Sequence, residues 1–253
     1  MSPRTRRSRG RWAIGIAIAV AVMAVLAVGA ELIARQLVPD MVRAAVVERL
    51  ALPADHPVDV EVEGILIPQL IGGSLRDVHL ASQDVTIGAF TGDVVADGQE
   101  IPIRADAPAA GGTAEVRMTT EQLRSLLATI DGFPADSVEL EAPNVTAATE
   151  VELLGAAIPL GITLEPSAAD GQIVLTPVEG TVAGATVTAD GLRAQFGSLA
   201  DPILQDRRLC IADSLPAAMT LQSIEVVDEE LIARFDIAGG IIDDPALQQN
   251  GTC

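Results

Sequence analysis

The chain has no lysine and no tyrosine, and its 253 residues hold only four phenylalanines, one tryptophan, two cysteines and two histidines. Each scarcity excludes something. Without aromatics, any core must be built from Ala, Val, Leu and Ile, which the 49% hydrophobic content supplies. Without lysine, and with 35 acidic residues against 16 arginines, there is no basic stripe to follow a phosphate backbone, so nucleic acid is excluded as a partner. His56 and His79 lie far from Cys210 and Cys253 and lack the short spacings that zinc requires, so no metal site is expected. No serine elbow, phosphate loop, dinucleotide fingerprint or H-E-x-x-H motif occurs, and no catalytic residue or cofactor is expected. Carboxylates are abundant, but Asp228-Glu229-Glu230 and Asp243-Asp244 read as turns rather than calcium ligands. His79, between Val78 and Leu80, reads as a residue of a solvated strand face.

What is present begins with an asymmetry of charge. Arg4, Arg6, Arg7, Arg9 and Arg11 precede every acidic residue, the first of which is Glu31. Between them Trp12 to Ala30 form 19 uncharged residues, which as a helix span about 28 Å, close to the hydrocarbon thickness of a bilayer. The arginines hold that end in the cytoplasm and send the rest outward. The expected organisation is therefore a cytoplasmic head at 1–11, a transmembrane helix or signal sequence at 12–30, and an exported domain at 31–253. Val28-Gly29-Ala30 resembles a small-residue cleavage site, so the cleaved reading stays open beside the retained one, and both predict export. Cys210 and Cys253 form the one possible disulfide, which suits an oxidising compartment, against the reading of two unpaired thiols.

Beyond the apolar run, Ile33, Ala34, Leu37, Val38, Met41, Ala44 and Ala45 fall on one face of an amphipathic helix, which Pro39 should kink or divide. The texture then changes to period-two alternation at Val58, Val60 and Val62, and again at Val78, Leu80, Val85 and Ile87, with a bulge or a turn predicted near Ser82-Gln83. Further strands are predicted around 94–103, 138–146, 151–164, 172–176 and 181–188. Residues 221–227 and 231–237 read as a hairpin turning at Asp228-Glu229-Glu230. Thr119 and Gln122 have capping-box spacing, followed by Leu123, Leu126, Leu127 and Ile130 at helical intervals up to Gly132. A second helix is predicted after Asp190, with Leu192, Phe196 and Leu199, ending at Pro202. Runs of strands separated by single helices give an α+β fold with a curved, mostly antiparallel sheet around the long amphipathic helix.

Two apolar stretches have no place in that alternation. Ile65 to Leu75 (ILIPQLIGGSL) surrounds Pro68 and Gly72-Gly73 and reads either as a cavity lip or membrane-touching loop, or as a buried crossover between strands. Leu153 to Leu164 (LLGAAIPLGITL) has the same two readings. The candidate lining for acyl chains is Ile33, Leu37, Met41 and Ala45 on the first helix, Leu66, Ile67, Leu70 and Ile71 in the apolar stretch, and Leu126, Leu127 and Ile130 on the capped helix.

The Arg-rich head and apolar helix, ARQLVPDMVRAAV, LIGGSLRDVHLASQDVTIG, TTEQLRSLL and the C-terminal CIADSLPAAMTLQSIEVVDEELIARFDIAG with its final Cys together resemble the actinobacterial lipomannan-elongation-factor family of phospholipid-binding envelope proteins. The resemblance implies a non-enzymatic protein of the cell envelope that binds phospholipid and supports maturation of mannose-bearing lipoglycans. It also implies a fold similar to the lipid-binding domains of the bactericidal/permeability-increasing type. The expected function is thus an apolar groove between sheet and helix that holds acyl chains, with phospholipid and membrane as partners. The alternative is an envelope scaffold or interaction module that recruits a glycan or lipid enzyme.

Overall fold

The computed structural model describes residues 8–50, 52–87, 90–104, 107–129, 134–153, 156–201 and 204–253. The apolar run and the amphipathic segment after it form one helix, α1 (Ser8–Arg49), which continues unbroken through Pro39. Division at that proline does not occur. The ring removes one backbone hydrogen bond, but Val38 and Val42 on either side of it pack into the core, and that tertiary packing carries the helix across the gap.

The chain then turns back along α1 as β1 (Asp59–Val62), makes a short helix α2 (Leu66–Gly72), and leaves as β2 (Ser74–Ile87). β3 (Phe90–Pro102) and β4 (Gly111–Thr119) follow, then α3 (Thr120–Leu127). Next come β5 (Glu139–Glu141), β6 (Asn144–Leu153), β7 (Ala156–Ala169), β8 (Gln172–Val182) and β9 (Ala185–Thr188), before α4 (Ala189–Phe196). β10 (Arg207–Leu209), β11 (Met219–Val227), β12 (Glu230–Ala238) and the one-turn α5 (Pro245–Gln248) complete the described elements.

The fold is α+β with antiparallel pairing throughout the described strands, and the strands divide into two sheets. The first has the order β1-β2-β3-β4-β12-β11, and the second β10-β8-β7-β6-β5 with β9 added on β8. The run predicted at 138–146 is cut by a turn, that at 151–164 takes in the end of β6 and part of β7, and β5, β6 and β7 form successive antiparallel pairs. The stretch Leu153 to Leu164 lies largely within β7, where Ile158 and Leu160 are half-buried.

Period two fixes the faces of the first sheet. Leu80, Ala96, Ala114, Phe235 and Leu221 stand in one row across five strands, while the next row is His79, Asp97, Thr113, Asp236 and Thr220. The bulge predicted near Ser82-Gln83 is present as a register shift between Ser82 and Val85, with Asp84 at φ 51°. On the apolar side, Leu221, Ile224 and Phe235 pack with Ala168 and Ile173 of the second sheet. Cys210 and Cys253 are joined in a disulfide with 5.8 Å between their Cα atoms, tying the last residue to the end of β10.

Candidate functional site

The two sides of α1 beyond Ala30 meet different surroundings. Ala34 and Val38 are buried, and with Val42 they pack on Leu66, Leu75 and Val78 of α2 and β2. Ile33, Leu37 and Met41 each precede one of these residues by a single position, which rotates them by about 100° around the helix. They are 60%, 55% and 71% exposed, and Ala44 and Ala45 are exposed beside them. The groove expected between helix and sheet is therefore filled by the protein's own Ala34, Val38, Leu66, Leu75 and Val78. The apolar side chains without a protein partner lie on the other side of the helix. They continue an exposed apolar surface that runs up α1 through Val20, Met23, Val25, Leu26 and Val28, and the helix from Val20 to Arg49 is long and apolar enough to cross a membrane.

The stretch Ile65 to Leu75 is neither a loop nor a crossover strand but the helix α2 and its caps. Pro68 falls in the first turn, where its missing amide costs nothing, and Gly73 ends the helix at φ 85°, a conformation that favours glycine. Two contacts hold α2 in place. The Glu31 carboxylate accepts hydrogen bonds from the backbone amides of Leu66 and Ile67 at 2.9 and 3.0 Å. Gln69, a buried polar side chain, donates to the carbonyls of Glu63 and Ile65 and accepts from the Arg76 amide at 2.8 Å. Arg35 binds both Glu31 and the Gly64 carbonyl, each at 3.0 Å. The two backbone amides, aided by Arg35, hold the Glu31 carboxyl below the usual carboxylate range. Within α2, Leu66 is buried and Ile67 half-buried, whereas Leu70 and Ile71 are exposed, Ile71 at 83%.

The capped helix belongs to another part of the molecule. α3 has its capping box as predicted: the Gln122 amide donates to Thr119 Oγ1, and Gln122 Oε1 accepts from the Thr119 amide. Its Leu123 is buried, and Leu126 and Leu127 pack with it against Met118, Val138, Leu140 and Val226. That cluster is separate from the one under α1. The structure thus brings Ile33, Leu37, Met41 and Ala45 together on α1 and places Leu70 and Ile71 at α2 nearby. It turns Leu66 and Ile67 inward and separates Leu126 and Leu127 from both groups. Ile130 lies outside the described residues, as does Gly132.

Sequence reasoning missed Glu31, Arg35 and Gln69 as the parts that position this surface. The signal was there for α2: a proline in the first turn and a glycine pair after the last is a start-and-stop signature. Nothing local announced that Glu31 would cap a helix 35 residues further on.

The remaining polar features offer no competing site. On the outer face of the first sheet, Arg234 bridges Glu115 and Glu225, and Arg117 also binds Glu115, which holds the Glu115 carboxyl low. A shallow depression of about 450 Å³ on the same face mixes Asp97, Gln99, Thr113 and Asp236 with small residues such as Ala110 and Ala218, and it lies away from α1. Among the described residues no cluster of His, Cys, Asp and Glu could hold a metal ion.

A family model described as LmeA-like phospholipid-binding matches residues 29–236, most of the chain, beginning where the apolar run ends. No curated protein and no solved structure matches. On the strength of that match, the chain belongs to the LmeA-like phospholipid-binding family.

Proposed function

We propose that this is a non-enzymatic phospholipid-binding protein of the cell envelope, with residues 1–11 in the cytoplasm, 12–30 in the bilayer and 31–253 outside, where it supports lipoglycan maturation. Family membership supports the phospholipid, and the charge asymmetry around the apolar run supports the orientation. The binding surface is the outward stripe of α1, Ile33, Leu37 and Met41 with Ala44 and Ala45, against which the acyl chains lie.

One observation carries this reading. A helix that packs one side on the sheet keeps a second apolar stripe unburied, and that stripe is continuous with a membrane-length apolar run. Full burial of each large side chain is worth about 1.5–3 kcal/mol, and each acyl methylene adds about 0.8 kcal/mol, so lipid covering this stripe binds without a charged head-group site. That mode suits a chain with a net charge of −19, which has no long-range attraction for anionic head groups. The reading is tested by delipidating the protein, incubating it with phosphatidylcholine vesicles and assaying bound lipid by mass spectrometry. Reacquired phospholipid is the expected result, and a protein that stays empty refutes it.

A further inference from the structure

Three contacts order the first part of the chain along α1. Arg43 donates to the carbonyl of His56, Arg35 to that of Gly64, and Glu31 accepts from Leu66 and Ile67. As the chain advances from 56 to 67, its partners on α1 retreat from 43 to 31. β1 therefore runs back toward the apolar run, and α2 is the element set against its last turn, beside the first charged residue after it. The tip of β3 reaches the same level: Pro102 pairs with Ser74, and the Ile103 amide donates to the Gly73 carbonyl at 3.0 Å.

Exposed apolar side chains gather at this end. Outside α1, nine large apolar side chains are exposed among the described residues, and four of them, Ile65 (62%), Leu70 (36%), Ile71 (83%) and Ile103 (49%), flank this one turn. They stand beside the Glu31 turn of α1, and the large apolar side chains of α1 on either side of that turn, such as Val28 and Leu32, are themselves exposed. The chain's acidity gives this end no long-range electrostatic hold on a bilayer, so contact there has to be apolar.

We propose that Ile65, Leu70, Ile71 and Ile103 form a foot that enters the surface of the bilayer beside α1, with Glu31 and Arg35 holding it at the depth where the apolar run ends. The occupant is the acyl region of the adjacent leaflet, reached as an interfacial amphipathic segment reaches it. This inference rests on the reading of 12–30 as a bilayer span and concerns membrane contact, not the lipid carried on α1. The foot fixes the domain against the membrane, so that the stripe of Ile33, Leu37 and Met41 starts at the leaflet surface.

The test uses the full chain in phosphatidylcholine vesicles with brominated acyl chains. Trp12 is the sole tryptophan, so in a Trp12→Phe background single probes are placed by Ile71→Trp, by Ile103→Trp, and by Val227→Trp at the opposite end of the same sheet. Ile71→Trp and Ile103→Trp are expected to show blue-shifted emission quenched by the brominated lipid, and Val227→Trp to emit as in water without quenching. Water-like, unquenched emission from Ile71→Trp and Ile103→Trp overturns the foot. The unsubstituted protein separates the causes: if Trp12 is quenched while both foot probes are not, the foot alone fails, and if Trp12 is also unquenched, the bilayer span fails with it. Phospholipid recovered by mass spectrometry reports on the binding reading independently of either result.

Discussion

α1 and α3 carry similar apolar stripes and end in different environments. On α3, Leu123 goes into a closed cluster and Leu126 and Leu127 pack around it against strands of both sheets. On α1, Ala34 and Val38 are buried while Ile33, Leu37 and Met41, of the same chemistry and one position away, are more than half exposed. Helical periodicity identifies a stripe that avoids water, but not whether protein or lipid removes it from water. A stripe left uncovered on a folded domain, next to a membrane-length apolar run, is best accounted for by a lipid partner.

Alanine substitutions on the two helices should therefore have unequal effects. Leu123→Ala should cost about 2–5 kcal/mol, because a buried side chain is replaced by a cavity, and chemical denaturation measures the loss. Thr119→Ala removes the α3 cap and should cost about 1 kcal/mol in the same assay. Leu37→Ala should stay within about 0.5 kcal/mol of the parent, since the side chain is more than half exposed and leaves no buried cavity. A loss at Leu37 as large as that at Leu123 would mean that the outward stripe is packed after all.

The smallest effect expected is on acidification. The Glu31 carboxyl titrates below its ordinary 4.5, so its contribution to stability is complete above that value and is lost as pH falls through the lower folded value. Protection of the Leu66 and Ile67 amides from hydrogen exchange, taken relative to their intrinsic rates at each pH, should therefore fall only in acid, and Glu31→Gln should remove that change. Protection that stays constant through the acid range in the parent would show that Glu31 does not hold α2.

Features decided by neighbouring residues were legible in the sequence. The Thr119 cap, the hairpin at Asp228 and the bulge before Val85 each depend on local backbone chemistry, and each appears where the pattern placed it. α2 was legible only at its ends, through Pro68 and Gly72-Gly73, because seven residues are too few for a periodic signal and its hold comes from Glu31 and Gln69. Leu66 was read as lipid-facing along with Leu70 and Ile71, yet within one short helix the first faces the core and the other two face solvent. The division into two sheets was hidden because the predicted run at 138–146 crosses the turn between β5 and β6, and that at 151–164 takes in the end of β6 as well as β7.

The most direct test of the central claim is native mass spectrometry of the full chain released from detergent, comparing the parent with the Ile33→Ser, Leu37→Ser, Met41→Ser triple variant. The outward stripe predicts phospholipid bound to the parent and absent from the variant, with both melting at nearly the same temperature. Phospholipid retained in full by the variant would contradict it.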